Sequence, residues 1–318
     1  MGKTYKNVLP IKFRGGYIME FNNVSLKKKR EKSVRNASII FLLPSLLFLV
    51  IFIAYPIFYS FKTSFYNWNG ITVGKTFIAF ENWKELILDS TFRKAFFNNI
   101  IIMILSIVIQ LPVGMALATF LDFKGKKANL FKIIWFIPML MSSVAIGYLF
   151  KYALDANSGI ISGLSKLFGG PAIDLLGNPK TALVTISIAI CWQFIPFYMV
   201  YFLAAYSSLP SDVYEAAIID GATKGQYFWK VALPMMKPSI KSAMILSMVG
   251  SLKYFDLIYV MTGGGPGSSS ELMATYMYKN AFLSQRMGYG STIACGMFIL
   301  ITIISLVTMK ILNKNGDE

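Results

Sequence analysis

"EAAIIDGATKGQYFWKVALP", Glu215–Pro234, stands between two apolar runs at 181–206 and 240–261. Each run is long enough to cross a bilayer as a helix, which takes about 20 residues. The stretch between them opens on an acid, breaks at Gly221 and stops at Pro234. Pro210 followed by Ser211 reads as a helix start, with Ser211 as N-cap and Asp212 and Glu215 in the first turn. That helix is expected over 212–220, with Gly221 as its C-terminal glycine. Thr223 and Gln226 are three apart, the spacing of a capping box for a second short helix. The product is a helix–turn–helix at a membrane face. Ala216 and Ala217 let another surface approach the backbone closely, and Glu215 offers one orienting charge. These residues suit a docking knob, and they also suit a solvated interfacial loop.

Outward from this stretch the chain reads as membrane. Of its 318 residues, 55% are hydrophobic and 14% charged; soluble domains carry about 25% charged residues. Six runs are long enough to span: 38–61, 95–121, 130–152, 181–206, 240–261 and 289–311. Pro44, Pro56, Pro112, Pro138 and Pro196 lie inside them and predict kinks, which membrane helices tolerate.

The charge distribution orients these spans. Segments 1–36, 122–132, 207–241 and 310–318 hold 10, 4, 4 and 2 of the 31 Lys and Arg, whereas 62–94, 151–180 and 262–288 hold 5, 3 and 2. Lys253 falls within the fifth run. The positive-inside bias predicts both termini in the cytoplasm, anchored by "KKKREK" at 27–32. It also turns the net charge of +16 away from nucleic acid, because the basic residues flank membrane runs. The first run is too long for a signal-peptide core and is expected to be retained. "FRGGYIM", 13–19, has the look of a translated ribosome-binding site, which would make Met19 the natural start. Aromatics from Tyr55 to Trp68 suit an interfacial belt. "DANSGIISGLSKLFGG", 155–170, predicts a short surface helix closed by Gly169, Gly170 and Pro171.

The inventory excludes several chemistries. There is no histidine, and the two cysteines, Cys191 and Cys295, lie in apolar runs without metal spacing. Catalysis by a Ser–His–Asp or Cys–His set is therefore absent. "FKGKKAN", 123–129, is not a nucleotide-binding loop, and "TGGGPG", 262–267, lacks the Lys-Ser/Thr that such a loop needs. Lys253 and Asp256 are expected to pair at i,i+3 within the fifth span.

The polar stretch resembles the EAA motif of binding-protein-dependent ABC importer permeases, through Glu215, Ala216, Ala217, Gly221, Val231, Leu233 and Pro234. Val231 stands where isoleucine is usual. "FLLPSLLFLVIFIAYPIFYSF" at 41–61, "NWKEL" at 82–86 and "FDLIYVMTGGGPG" at 255–267 resemble the maltose-type sugar permeases, and the likeness runs from 41 to the C-terminus. It implies an all-α fold of six transmembrane helices, the type I importer permease fold, in a bacterial plasma membrane. Residues 1–36 would form a basic cytoplasmic segment, 37–312 the permease domain with its coupling loop at 208–238, and 313–318 a cytoplasmic tail.

The resemblance also implies partners: a second homologous permease, a cytoplasmic ATPase dimer, an extracytoplasmic solute-binding protein, a carbohydrate and membrane lipid. ATP and Mg would bind the ATPase, with no cofactor on this chain and no enzymatic activity of its own. Glu215, Ala216, Ala217, Asp220, Gly221, Leu233 and Pro234 would couple to the ATPase. Matching "CWQFIPFYM", 191–199, and the end of the fifth span to the family pattern points to Gln193, Phe194, Phe197, Ser247, Gly250, Ser251 and Tyr254 as sugar contacts. A charge within an apolar run also suggests a functional role, and the alternative to pairing with Asp256 is that Lys253 holds an acidic sugar. The same residues also suit ordinary helix packing. Other solutes, such as a glycerophosphodiester or a polyamine, fit the same machine. A membrane scaffold or intramembrane enzyme is the rival of a different class.

Overall fold

A computed structural model describes residues 11–13, 16–18 and 24–314. The expected start at Met19 and the tail beyond 314 lie outside them. The chain divides into two compact units, Met1–Tyr59 and Ser60–Glu318. In the first, Ile11–Phe13 (β1) pairs antiparallel with Gly16–Ile18 (β2). An apolar helix, α1, covers Ala37–Thr63 with mean hydropathy 2.8. Its side chains from Ala37 to Ile53 are uncovered, Phe41 at 81%, as lipid-facing or partner-facing residues would be.

The second unit contributes four more helices long and apolar enough to span, and one bent pair. Tyr66–Asn67 (β3) and Thr76–Phe77 (β4) form a small hairpin, followed by α2, Glu81–Leu88. Helix α3 is Ser90–Lys124, with a π-helical turn at Ser106–Gln110. Pro112 supplies a reason for that turn, since it cannot donate to the carbonyl four residues back. Helices α4, Asn129–Leu140, and α5, Ser143–Ala153, meet at 93°. A short helix follows at Ile160–Leu167 (α6), and α7 covers Ala182–Ser207. Helix α8 is Ser211–Ile219 and α9 is Lys224–Tyr227. Helices α10, Lys237–Leu252, and α11, Asp256–Met261, share one apolar stretch. Helix α12 is Met273–Tyr278 and α13 is Met287–Lys314.

Two expectations change here. The third run is not a helix kinked at Pro138. It ends at Leu140, Met141 and Ser142 are extended, and a new helix begins at Ser143. Pro138 weakens the last turn of α4 by removing one backbone donor. The fifth run is also interrupted, from Lys253 to Phe255. Lys253 and Asp256 are therefore not neighbours on one helical face. Both are exposed, and no ion pair joins them among the described residues.

The core of the second unit forms where α3 crosses α7. A Cβ on Gly114 would stand 2.8 Å from Tyr198 Cβ and 3.1 Å from Met199 N. The missing side chain thus lets the two helices touch nearly backbone to backbone. Met115, Ala118, Tyr198 and Phe202 continue that seam, which runs on through Ala217, Tyr227, Ala232 and Met236. A second cluster joins α3, α5, α7 and α11 through Ile102, Ile146, Ile186, Ala189, Leu257 and Ile258.

Candidate functional site

A cavity of about 210 Å³ opens between α3, α4, α7 and α10. Phe194 and Phe197 line it from α7, and Ser247, Gly250 and Ser251 from α10. Tyr254 reaches it from the break after α10. Six of the eight residues expected to contact substrate thus surround one space. Ser247 and Ser251 are one helical turn apart on α10, and Tyr254, within the same apolar run, lies beyond the helix end. The Phe194 and Tyr254 rings meet edge to face at 6.1 Å.

Two expected contacts lie elsewhere. Gln193 sits behind the cavity wall, 4% exposed. Its amide nitrogen donates to Ser143 Oγ at 3.0 Å, and its oxygen accepts from the Tyr254 hydroxyl at 3.3 Å. It therefore ties the start of α5 to the break after α10. Lys253 is exposed beside that break and is not part of the cavity lining.

Side chains of α3 fix the break. Asn99, fully buried, donates to the carbonyls of Ser251 at 3.1 Å and Leu252 at 3.2 Å. Its oxygen accepts from Met273 N at 2.9 Å. Asn98 donates to the carbonyls of Ser269 and Glu271, and Lys94 to that of Gly267. The glycine-rich stretch from Thr262 is thereby laced to α3. Buried Glu271 pairs with Lys279 and accepts from Thr275 Oγ1 at 2.6 Å.

At the far end of α7, the opening stretch folds as two short helices. Helix α8 starts one residue earlier than expected, because Pro210 with φ −61° and ψ 131° occupies the capping position and Ser211 is already helical. Its C-terminus follows the expectation. Gly221 has φ +75°; Gly221 N donates to Ile218 O at 3.0 Å and Ala222 N to Ala217 O at 2.9 Å. These two bonds satisfy orphan carbonyls at the helix end. Thr223 and Gln226 form the reciprocal capping box, with bonds of 2.8 and 3.3 Å. Ala217 is buried, and Tyr214 packs on Tyr227 with ring centroids 4.9 Å apart. Glu215, Ala216, Asp220 and Gly221 face outward with Ile218, Ile219 and Trp229. The two alanines therefore have opposite placements: Ala217 seats the knob and Ala216 lies on its surface. Pro234 is exposed and Leu233 partly buried, both just beyond a π-helical turn at Phe228–Ala232.

Residues 110–315 match the family described as the binding-protein-dependent transport system inner membrane component. The chain belongs to that family. The permease resembles MsmF, the multiple sugar-binding transport system permease protein of Streptococcus mutans, with 33% identity over 86% of this chain and 94% of the relative. It is 30% identical to SmoG, the sulfoquinovosyl glycerol transport system permease protein of Agrobacterium fabrum, over 87% of this chain and 91% of that one. A solved bacterial ABC transporter involved in import of the acidic polysaccharide alginate shares the fold, with TM-score 0.76 and 21% identity over 90% of this chain and 99% of that one. The permease is thus a multi-pass membrane subunit of an ABC importer, a transport component and not an enzyme.

The cavity also includes residues that sequence reasoning missed: Gln110, Met139, Ile190, Tyr198 and Leu246. Four of these are indistinguishable in sequence from helix packing. Gln110 carried a signal, as the lone amide in the apolar run 100–121, where a polar side chain costs free energy unless it has a task.

Proposed function

We propose that this permease forms half of the translocation path for an oligosaccharide and is driven through α8 by a cytoplasmic ATPase. The observation that carries the reading is the cavity itself. Phe194, Phe197 and Tyr254 offer ring faces beside the hydroxyls of Ser247 and Ser251. Aromatic faces stack on the C–H faces of sugar rings, and hydroxyls exchange hydrogen bonds with sugar hydroxyls. The name of MsmF supports a sugar, and that of SmoG a sugar derivative. Lys253, exposed beside the cavity without an acidic partner among the described residues, favours an acidic unit at that end of the ligand.

The proposed assembly has a second homologous permease, an ATPase dimer holding ATP and Mg, and an extracytoplasmic binding protein. This chain carries no cofactor in that scheme. Both termini are cytoplasmic, with residues 1–36 as a basic segment, 37–312 as the permease domain and 313–318 as a tail. Glu215 pairs with a basic group of the ATPase, while Ala216, Asp220 and Gly221 allow close approach; Ala217, Leu233 and Pro234 hold the knob in place. The exposed apolar side chains of Ile218, Ile219 and Trp229 are consistent with a covered surface in the assembly.

Co-purification with the ATPase followed by uptake in proteoliposomes tests this reading. Glu215→Arg is expected to abolish uptake while membrane insertion persists, and wild-type uptake in that variant would sink the coupling role. Lys253→Met is expected to lower uptake of an acidic trisaccharide at least ten-fold and a neutral one less than two-fold. Equal effects on both would remove the acidic-sugar role.

A further inference from the structure

The cavity has one wall to which no role has been given. Gln110 lies on α3 and lines the same space as the α7 and α10 residues. It is 3% exposed. Its position follows from the backbone: Gln110 closes the π-helical turn Ser106–Gln110, two residues before Pro112. Such turns shift the following residue out of the regular helical series and recur at functional sites.

The polar atoms of Gln110 are unevenly occupied. Its amide nitrogen donates to Ser106 Oγ at 3.2 Å and lies 3.8 Å from Cys191 Sγ. Its amide oxygen has no partner among the described residues. On the α10 side, the buried Ser247 hydroxyl also lacks a well-formed hydrogen bond and has the Tyr198 phenol as its neighbour. A buried polar atom without a partner costs roughly 1–3 kcal/mol, and a membrane interior gives it no alternative. Ser247 Oγ is such an atom, and it shares the cavity lining with Gln110, whose amide oxygen is left to meet a ligand's polar group. The volume is below the roughly 300–1,000 Å³ of common small-molecule pockets, so the cavity takes one end of a longer ligand.

Given the oligosaccharide reading, on which this rests, we infer that Gln110 is a substrate-contacting residue whose amide oxygen accepts a hydroxyl of a neutral sugar ring. An amide oxygen accepts hydrogen bonds and repels a carboxylate. Gln110 therefore selects a neutral unit at its end of the cavity. Lys253 stands outside the lining, so an acidic unit in the same ligand sits toward it and away from Gln110.

The test uses the complete transporter, with partner permease, ATPase and binding protein, in proteoliposomes. The probes are maltotriose, xylotriose and trigalacturonate. Gln110→Leu keeps the side chain's size and removes both polar atoms. It is expected to lower uptake of maltotriose or xylotriose, whichever is transported, at least ten-fold, with the complex assembling at wild-type yield; wild-type transport of trigalacturonate alone, every unit of which is acidic, also overturns the inference. Uptake within two-fold of wild type overturns the inference. Should the leucine variant fail to assemble, Gln110→Asn is read instead: it keeps the amide one methylene short, and an unchanged rate overturns the inference equally. Wild-type protein that transports none of the three trimers overturns the oligosaccharide reading, and this inference with it. Wild-type transport that survives the substitutions overturns the role of Gln110 alone.

Discussion

Asn99 joins three backbone groups that its own helix cannot reach, and Asn99→Leu tests whether that junction holds the second unit together. The leucine fills similar space and offers no hydrogen bond. It leaves the Leu252 carbonyl and the Met273 amide without the partners described above, and weakens the set around Ser251 O. A typical hydrogen bond contributes about 0.5–1.5 kcal/mol net, and those between membrane helices average about 0.6. Three of them, at full burial, place the loss at roughly 2–3 kcal/mol, or about 30–150-fold in the unfolding equilibrium. Cys191 and Cys295 are buried free thiols, so their reaction with a maleimide dye reports unfolding of purified protein during a thermal ramp. Asn98→Leu removes two bonds from an adjacent position and is expected to cost less, about 1–2 kcal/mol. Asn99→Asp keeps the acceptor for Met273 N but sets a carboxylate against two carbonyls, and is expected to cost more than leucine. If Asn99→Leu loses less than about 0.5 kcal/mol, the size expected of an ordinary surface change, or ranks below Asn98→Leu, the junction does not carry the weight assigned to it.

Three further outcomes follow from the same packing. Burial pushes the Asp89 carboxyl up, but hydrogen bonds from Tyr276, Tyr289, Phe92 and Thr91 outweigh it and leave it below the ordinary range. Its stabilisation is thus present above about pH 4 and lost as pH falls through the lowered value; Asp89→Asn should narrow its stability gap to wild type below that pH, and a pH-independent gap refutes the linkage. Lys279→Met strands the buried Glu271, whose side chain is 2% exposed against 32% for Lys279; thermal unfolding should show a loss of about 3 kcal/mol, partly restored by adding Glu271→Gln, and no restoration would argue against an orphaned charge. Gly221→Ala meets no atom within 4 Å, so its cost is the left-handed backbone alone, about 1–2 kcal/mol; limited proteolysis of the loop should be faster in the alanine variant than in Gly221→Asn, and equal rates would remove the backbone argument.

How much of this was legible in the sequence depended on the range of the interactions. The Gly221 helix end and the Thr223–Gln226 box were readable because each is closed by atoms within five residues. The one-residue error at Ser211 arose because Pro210 is itself extended and takes the capping position without a side-chain bond. The apolar runs were readable because lipid demands them. Neither helix break was readable. The run 130–152 stays apolar through Met141, and 240–261 has only Lys253 and Asp256 as warnings. A break in lipid needs partners for its freed backbone groups, and those partners, Asn99 above all, lie in distant parts of the chain. Six cavity residues were reached through a family pattern, not through periodicity, which assigned Tyr254 to a helix it does not join.

The breaks and the cavity have one physical origin. A continuous helix satisfies its own backbone and presents only side chains to its neighbours, so an unbroken bundle offers a ligand little polarity. Interrupting α10 at Lys253 frees carbonyls, which Asn99 takes, and turns Tyr254 out of the helical series toward Phe194. Interrupting the third run at Met141 places Ser143 at a helix start, where Gln193 can reach it. Gln193 then bonds Tyr254 on its other side, so a single buried amide joins both interruptions at the cavity wall. Through these two bonds Tyr254 and Ser143 are held to the same side chain. The wall of the space that Gln110 and Ser247 line is thus tied to two short non-helical links as well as to the long helices around it.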